Sequence, residues 1–95
     1  MSYIINMRFD WDPEKNKWLK QYRDIVFEEI ICLIEEGCLL AILRHPKKAG
    51  QKIFIINRGG YAYNVPFVEQ EAGICFLKTI YPSRASTKEY LGRMK

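Results

Sequence analysis

Ninety-five residues, 48% of them hydrophobic and 14% aromatic, are enough for one packed domain over 1–95 and too apolar for a disordered chain. Fifteen Lys and Arg against eleven Asp and Glu leave a formal charge of +4, which favours a polyanionic partner without requiring one. Cys32, Cys38 and Cys75 form no C-x-x-C pair and His45 is the single histidine, which excludes a Cys/His zinc cluster of the usual spacing.

Buried thiols in a reduced, cytoplasmic protein fit that cysteine usage better than disulfides do, and no metal or other cofactor is expected. No stretch approaches the ~18 apolar residues of a spanning helix, so no membrane partner is expected. The opening Met1–Asp12 carries no basic region ahead of an apolar one, so no signal peptide is expected either.

In chain order, Tyr3 to Trp11 reads as a strand with Ile5, Met7, Phe9 and Trp11 alternating onto one side. Asp12-Pro13 then starts a helix. The aspartate accepts from exposed backbone N–H groups, and proline at the first helical position lacks an N–H that would have no partner there anyway. This helix runs to about Tyr22. Its apolar content is thin (Trp18, Leu19, Tyr22), and Lys15, Lys17, Lys20 and Arg23 make it basic.

Asp24 is expected to cap a second helix, about Ile25 to Glu36, with Phe27, Ile30, Ile31 and Ile34 at core spacing and Gly37 as a left-handed stop. Glu28, Glu29, Glu35 and Glu36 form its solvated face. They would repel a polyanion, so this helix should lie away from one.

Three strands follow: Cys38 to Arg44, Lys52 to Asn57 and Tyr61 to Glu69. The first two are joined by the loop His45–Gln51, and the second and third by the hairpin turn Asn57-Arg58-Gly59-Gly60. Pro66 inside the third predicts a bulge or an edge position. Ile74 to Ile80, apolar on both faces except at Lys78, reads as a central strand. Pro82 stops it, and Ser83 to Leu91 reads as a short basic helix.

Strict alternation puts Lys78 on the side of Ile74, Phe76 and Ile80. Arg84 follows at the strand-to-helix turn, so Lys78, Tyr81 and Arg84 are expected near one rim of the sheet. That rim is the first candidate surface. Short turns imply antiparallel neighbours. The expected fold is therefore α+β: an antiparallel sheet of four to five strands, two N-terminal helices on one face and a short C-terminal helix.

Two stretches carry a resemblance. Phe9-Asp10-Trp11-Asp12-Pro13-Glu14-Lys15, followed by Phe27-Glu28-Glu29, is similar to the opening F-x-W-D-P-x-K…F-E-E of the BrnT family of bacterial toxins. Ile80-Tyr81-Pro82-Ser83-Arg84-Ala85-Ser86-Thr87-Lys88-Glu89-Tyr90 resembles that family's closing R-x-I-S-A-R-x-A-T…E…Y, with Arg84 on the second arginine. The chain departs from the pattern at Tyr22-Arg23-Asp24, where the family often has K-H-G, and at Val26, where the family has a serine cap. Lys78 stands one residue out of register with the first closing arginine.

The resemblance implies a RelE-like microbial ribonuclease fold and a toxin that cuts RNA without a metal and inhibits translation. It also implies a cognate antitoxin that binds DNA.

Metal-free RNA cleavage needs a group that takes the 2′-hydroxyl proton, cations that meet charge on the phosphate, and a group that protonates the leaving oxygen. Arg84 is the first candidate, because a planar guanidinium matches phosphate oxygens and stays charged. Lys78 is the second; partial burial would lower its pKa and let it exchange a proton. His45 is the only imidazole. The plain structural alternatives are a pair between Arg84 and Glu89, a snorkelling Lys78 and a surface His45.

Tyr63 and Tyr81 could stack on bases, although most tyrosines in a small core simply pack. Arg23 and Lys20 are candidate phosphate contacts. Arg44, Lys47 and Lys48 are too; they belong to a run of five bases and no acid from Arg44 to Arg58. Two other readings stay open on the residues alone: a non-catalytic module that binds a protein or nucleic acid, and a structural sheet protein with an open edge.

Overall fold

The computed structural model describes residues 7–92. The elements are β1 (Arg8–Trp11), α1 (Pro13–Arg23), α2 (Phe27–Glu35), β2 (Leu39–Arg44), β3 (Gln51–Arg58), β4 (Tyr61–Glu69), β5 (Ile74–Leu77), β6 (Tyr81–Pro82) and α3 (Arg84–Ser86). A 3-10 turn at Glu71–Gly73 precedes β5, and α3 continues into a π-helical turn at Thr87–Leu91. The part of the first expected strand before Met7 lies outside the described residues.

The strands form one sheet in the order β1-β5-β4-β3-β2, with β6 beside β4. The pairs β2–β3, β3–β4 and β4–β5 are antiparallel, as the short connections require, and β6, which continues the direction of β5, is antiparallel to β4 as well. β1 lies parallel to β5, with Phe9 opposite Cys75 and Trp11 opposite Leu77, so the sheet is mixed. No short turn joins β1 to its neighbour, and nothing in the connection forces an antiparallel pairing.

Local chemistry explains most of the boundaries. The Asp12 Oδ1 accepts the Glu14 N–H at 3.0 Å and Pro13 opens α1. Asp24 does not start α2. It ends α1 in the left-handed region (φ 54°, ψ 43°), with its N–H bonded to the Leu19 carbonyl. Val26 takes the cap position of α2 and has no side-chain acceptor to offer.

Asn16 supplies the acceptor from the neighbouring helix instead. Its Oδ1 takes the Phe27 N–H at 2.8 Å, and its Nδ2 donates to Glu28 Oε1 at 2.9 Å. Caps of this kind contribute about 1 kcal/mol. Gly59 and Gly60, both at positive φ, make the tight β3–β4 turn.

Pro66 sits neither at an edge nor at a bulge; it is buried in the central strand β4. Its carbonyl accepts the Lys78 N–H at 2.8 Å, so its backbone polar side faces the β5–β6 segment. There the missing proline N–H leaves nothing to accept, and the expected strand from Ile74 to Ile80 breaks after Leu77. β5 pairs with Phe67 to Glu69, and β6 resumes opposite Tyr63 and Asn64. The break also resets the alternation: Lys78 is exposed while Ile80 is completely buried.

Both N-terminal helices pack on one face, where Leu19, Phe27, Ile30 and Ile34 meet Phe54, Ile56, Phe67 and Leu77. Phe54 and Phe67 stack with centroids 3.9 Å apart, and Trp11 stacks on Phe27 at 5.6 Å. Ile31, expected in the core stripe, is only half-buried. Cys75 lies in this core, and burial pushes its thiol pKa up. On the other face Ile53, Ile55 and Ala62 are covered by Tyr90 and Leu91 of the terminal helical segment. Among the described residues no helix is long and apolar enough to cross a membrane.

Candidate functional site

The junction between β6 and α3 is built to hold one side chain in place. Ser83 caps α3, its Oγ accepting the Ser86 N–H at 3.1 Å, while the Ser83 N–H bonds to the Ala62 carbonyl at 2.9 Å. Thr87, almost completely buried, accepts the Ala62 N–H and donates to the Ser83 carbonyl, both at 2.8 Å. Ser86 Oγ donates to Asn64 Oδ1 at 2.9 Å.

The first turn of the helix is thus tied to β4 on either side of Arg84, and Arg84 itself is exposed. Backbone anchoring of this density fixes where a guanidinium starts from and leaves its head available. Reading the sequence for charge alone passes over Ser83, Asn64, Ser86 and Thr87. The signal for Ser83, Ser86 and Thr87 was present in S-R-A-S-T, two hydroxyl residues three and four positions after a helix cap, whereas nothing local marks Asn64.

Lys78 is bound through its backbone to Pro66, and Tyr81 pairs with Asn64 on the same strand. Lys78, Tyr81 and Ser83 therefore stand beside Pro66, Asn64 and Ala62, a span of roughly 13 Å along β4 at ~3.3 Å per residue. The burial that proton exchange by Lys78 would need is missing: the side chain is exposed, its ammonium 5.5 Å from the centre of the Phe76 ring. The described residues form two ion pairs, Lys52–Glu69 at 3.0 Å and Arg58–Glu29 at 2.7 Å. Lys78 and Arg84 take part in neither, and no pair between Arg84 and Glu89 forms.

Arg23 reaches the junction from α1. Its Nη1 donates to the Ile80 carbonyl at 2.6 Å, immediately before Tyr81. Lys20 lies exposed on the same helix. Tyr63 is on the opposite face of the sheet from Asn64 and packs into the helix-side core. Its hydroxyl accepts from Arg58 Nη1 at 3.1 Å.

Arg58 also grips Glu29 through Nε and Nη2 and donates to the Asp24 carbonyl at 3.2 Å. The hydrogen bond to Glu29 raises the Arg58 pKa further, so this arginine is a permanent clamp between the hairpin and α2. The acidic helix is accordingly not remote from the junction at Glu29, where its charge is neutralised.

The remaining candidates lie at the other end of the sheet. Arg44 pairs with Lys52 across β2–β3, and His45, Lys47 and Lys48 follow in the loop. Tyr63, beside Pro82 of β6, is opposite Ile56, so the loop is separated from the β6–α3 junction by at least four residues of β3, roughly 13 Å at ~3.3 Å per residue. Lys78, beside Pro66 and so level with Ile53, is instead set apart from the loop by the width of β4 and β3.

His45 Nδ1 accepts the N–H groups of Lys47 at 3.1 Å and Lys48 at 3.2 Å, which organises the loop and occupies that ring nitrogen. The loop encloses a small hollow of about 100 Å³ lined by Arg44, His45, Lys48, Gln51 and Lys52. The basic run from Arg44 to Arg58 is therefore divided. Lys52 and Arg58 are paired with carboxylates, and Arg44, Lys47 and Lys48 stay exposed at the loop end.

No protein-family model matches this chain, and no curated protein matches its sequence. Its fold is similar to that of the Brucella abortus ribonuclease toxin BrnT, known from a crystal structure, with a TM-score of 0.61 over 81% of this chain and 96% of that one. The two sequences are 17% identical over this match, so the likeness is one of fold.

Proposed function

We propose that this chain is the toxin of a toxin–antitoxin pair, a metal-independent endoribonuclease of the cytoplasm that inhibits translation and is neutralised by a DNA-binding antitoxin. The observation that carries this reading is Arg84: an exposed arginine without a carboxylate partner among the described residues, held on a rigidly tied helix start, in a fold similar to that of a ribonuclease toxin.

Cleavage without a metal begins when the ribose 2′-oxygen, losing its proton, attacks the adjacent phosphorus. The P–O5′ bond breaks, and the leaving 5′-oxygen takes a proton. Negative charge grows on the non-bridging oxygens in between. The Arg84 fork meets that charge with two parallel N–H donors, and Lys78 supplies a second, more mobile cation from the same side of β4. Tyr81 and Arg23 border the same segment and hold the strand of RNA against it. The exposed Arg44, Lys47 and Lys48 extend the positive footprint towards the far end of the sheet.

His45 belongs to that far end, so proton transfer at the Arg84 phosphate falls to other groups. The same observation favours a second reading, a binding module with the toxin fold and no turnover. Expression in a bacterial host separates the two. The toxin reading predicts growth arrest that is relieved by co-expression of the neighbouring antitoxin frame. Normal growth at high expression favours the module.

A further inference from the structure

Helix α1 exposes two aromatic rings. Among the described large hydrophobic residues, Trp18 is 39% and Tyr22 64% exposed, and Leu19 is the helix's one buried position. The two rings lie 5.3 Å apart and tilted by 42°. Two cations close on the pair: the Lys15 ammonium is 4.2 Å from the Trp18 centroid and the Arg23 guanidinium 4.9 Å. Such contacts orient the tryptophan without covering Tyr22. Arg23 ties the cluster to the Ile80 carbonyl, and four residues later the chain reaches Arg84.

We propose that Tyr22, backed by Trp18, is a stacking platform for an unpaired nucleobase of the substrate, with Lys15 and Arg23 meeting the phosphates beside that base. The inference rests on the ribonuclease reading and adds a base-binding subsite to it. Aromatic rings interleaved with cations suit single-stranded nucleic acid, in which each base offers a π-face and each linkage a charge. Two rings bracketed by positive charge make a small apolar area for a protein partner, whose docking calls for a larger patch depleted of charge at its centre.

The test uses the whole protein and a short 2′-O-methyl oligoribonucleotide, which is bound but not cut, followed by fluorescence anisotropy. Stacking of one base is worth about 1–3 kcal/mol, so Tyr22→Ala should weaken binding by about 5- to 150-fold and Tyr22→Phe should not. Placing an abasic residue at each oligonucleotide position in turn should reveal one position where wild type and Tyr22→Ala become equal. Equal affinity of Tyr22→Ala and wild type would overturn the platform, as would a loss that no abasic position abolishes or a loss confined to antitoxin binding. If wild type cuts RNA while Tyr22→Ala binds normally, only the platform falls. If wild type neither cuts nor binds RNA, the ribonuclease reading falls with it.

Discussion

Replacing Arg84 with alanine is expected to lower kcat for RNA cleavage by about 10²–10³-fold, the usual effect of removing one preorganised donor from a developing oxyanion. The urea midpoint should stay where it was, because the side chain is exposed and the junction's hydrogen bonds run through Ser83, Ser86, Thr87, Asn64 and Ala62. Arg84→Lys should recover part of the rate, since a lysine keeps the charge and loses the two-pronged geometry. KM should change less than kcat, because the charge being met is largest in the transition state. Unchanged kcat in Arg84→Ala would remove this residue from the chemistry and leave the junction as an ordinary helix start.

The largest effect on stability is expected at Phe54. Its ring is completely buried, stacks on Phe67 at 3.9 Å and meets the edge of Phe9 at 6.2 Å. Phe54→Ala should cost about 3–5 kcal/mol in urea unfolding, the lost transfer energy plus the cavity left between the sheet and the two helices. A domain of this length has about 5–14 kcal/mol in all, so the variant should be partly unfolded near body temperature. A loss below about 1 kcal/mol would mean that Phe54 does not sit in the core described.

The order of elements was readable from punctuation and period. Asp12-Pro13, Gly37, Gly59-Gly60 and Pro82 mark real boundaries, and β4 spans the stretch expected of it. Two features were not readable, each for a physical reason. Asp24 looks like a helix cap by type, yet residue type does not reveal that the chain adopts a left-handed conformation there or that Asn16, eleven positions before Phe27, supplies the acceptor. Pro66 looks like an edge proline, but its missing donor faces a break in the adjoining strand, which is a tertiary arrangement.

The candidate site was legible in part. Lys78, Tyr81 and Arg84 line one stretch of β4, as a strand running into a helix suggests. Distance along the strands separates His45 from Tyr81 and Arg84, two intervening strands separate it from Lys78, and no local pattern encodes either. The role of Trp18 and Tyr22 was hidden because thin apolar spacing on a helix looks the same whether the rings face a core or solvent.

The product ends of wild-type cleavage decide whether Arg84 stands over a reacting phosphate. The protein, freed of any partner, is incubated with a defined RNA in the presence of a metal chelator, and the ends are identified by mass spectrometry. Attack by the 2′-oxygen under Arg84 predicts fragments ending in a 2′,3′-cyclic phosphate paired with 5′-hydroxyl ends, and no cut where that ribose is replaced by deoxyribose. An intact RNA, or fragments carrying 5′-phosphates, would contradict it.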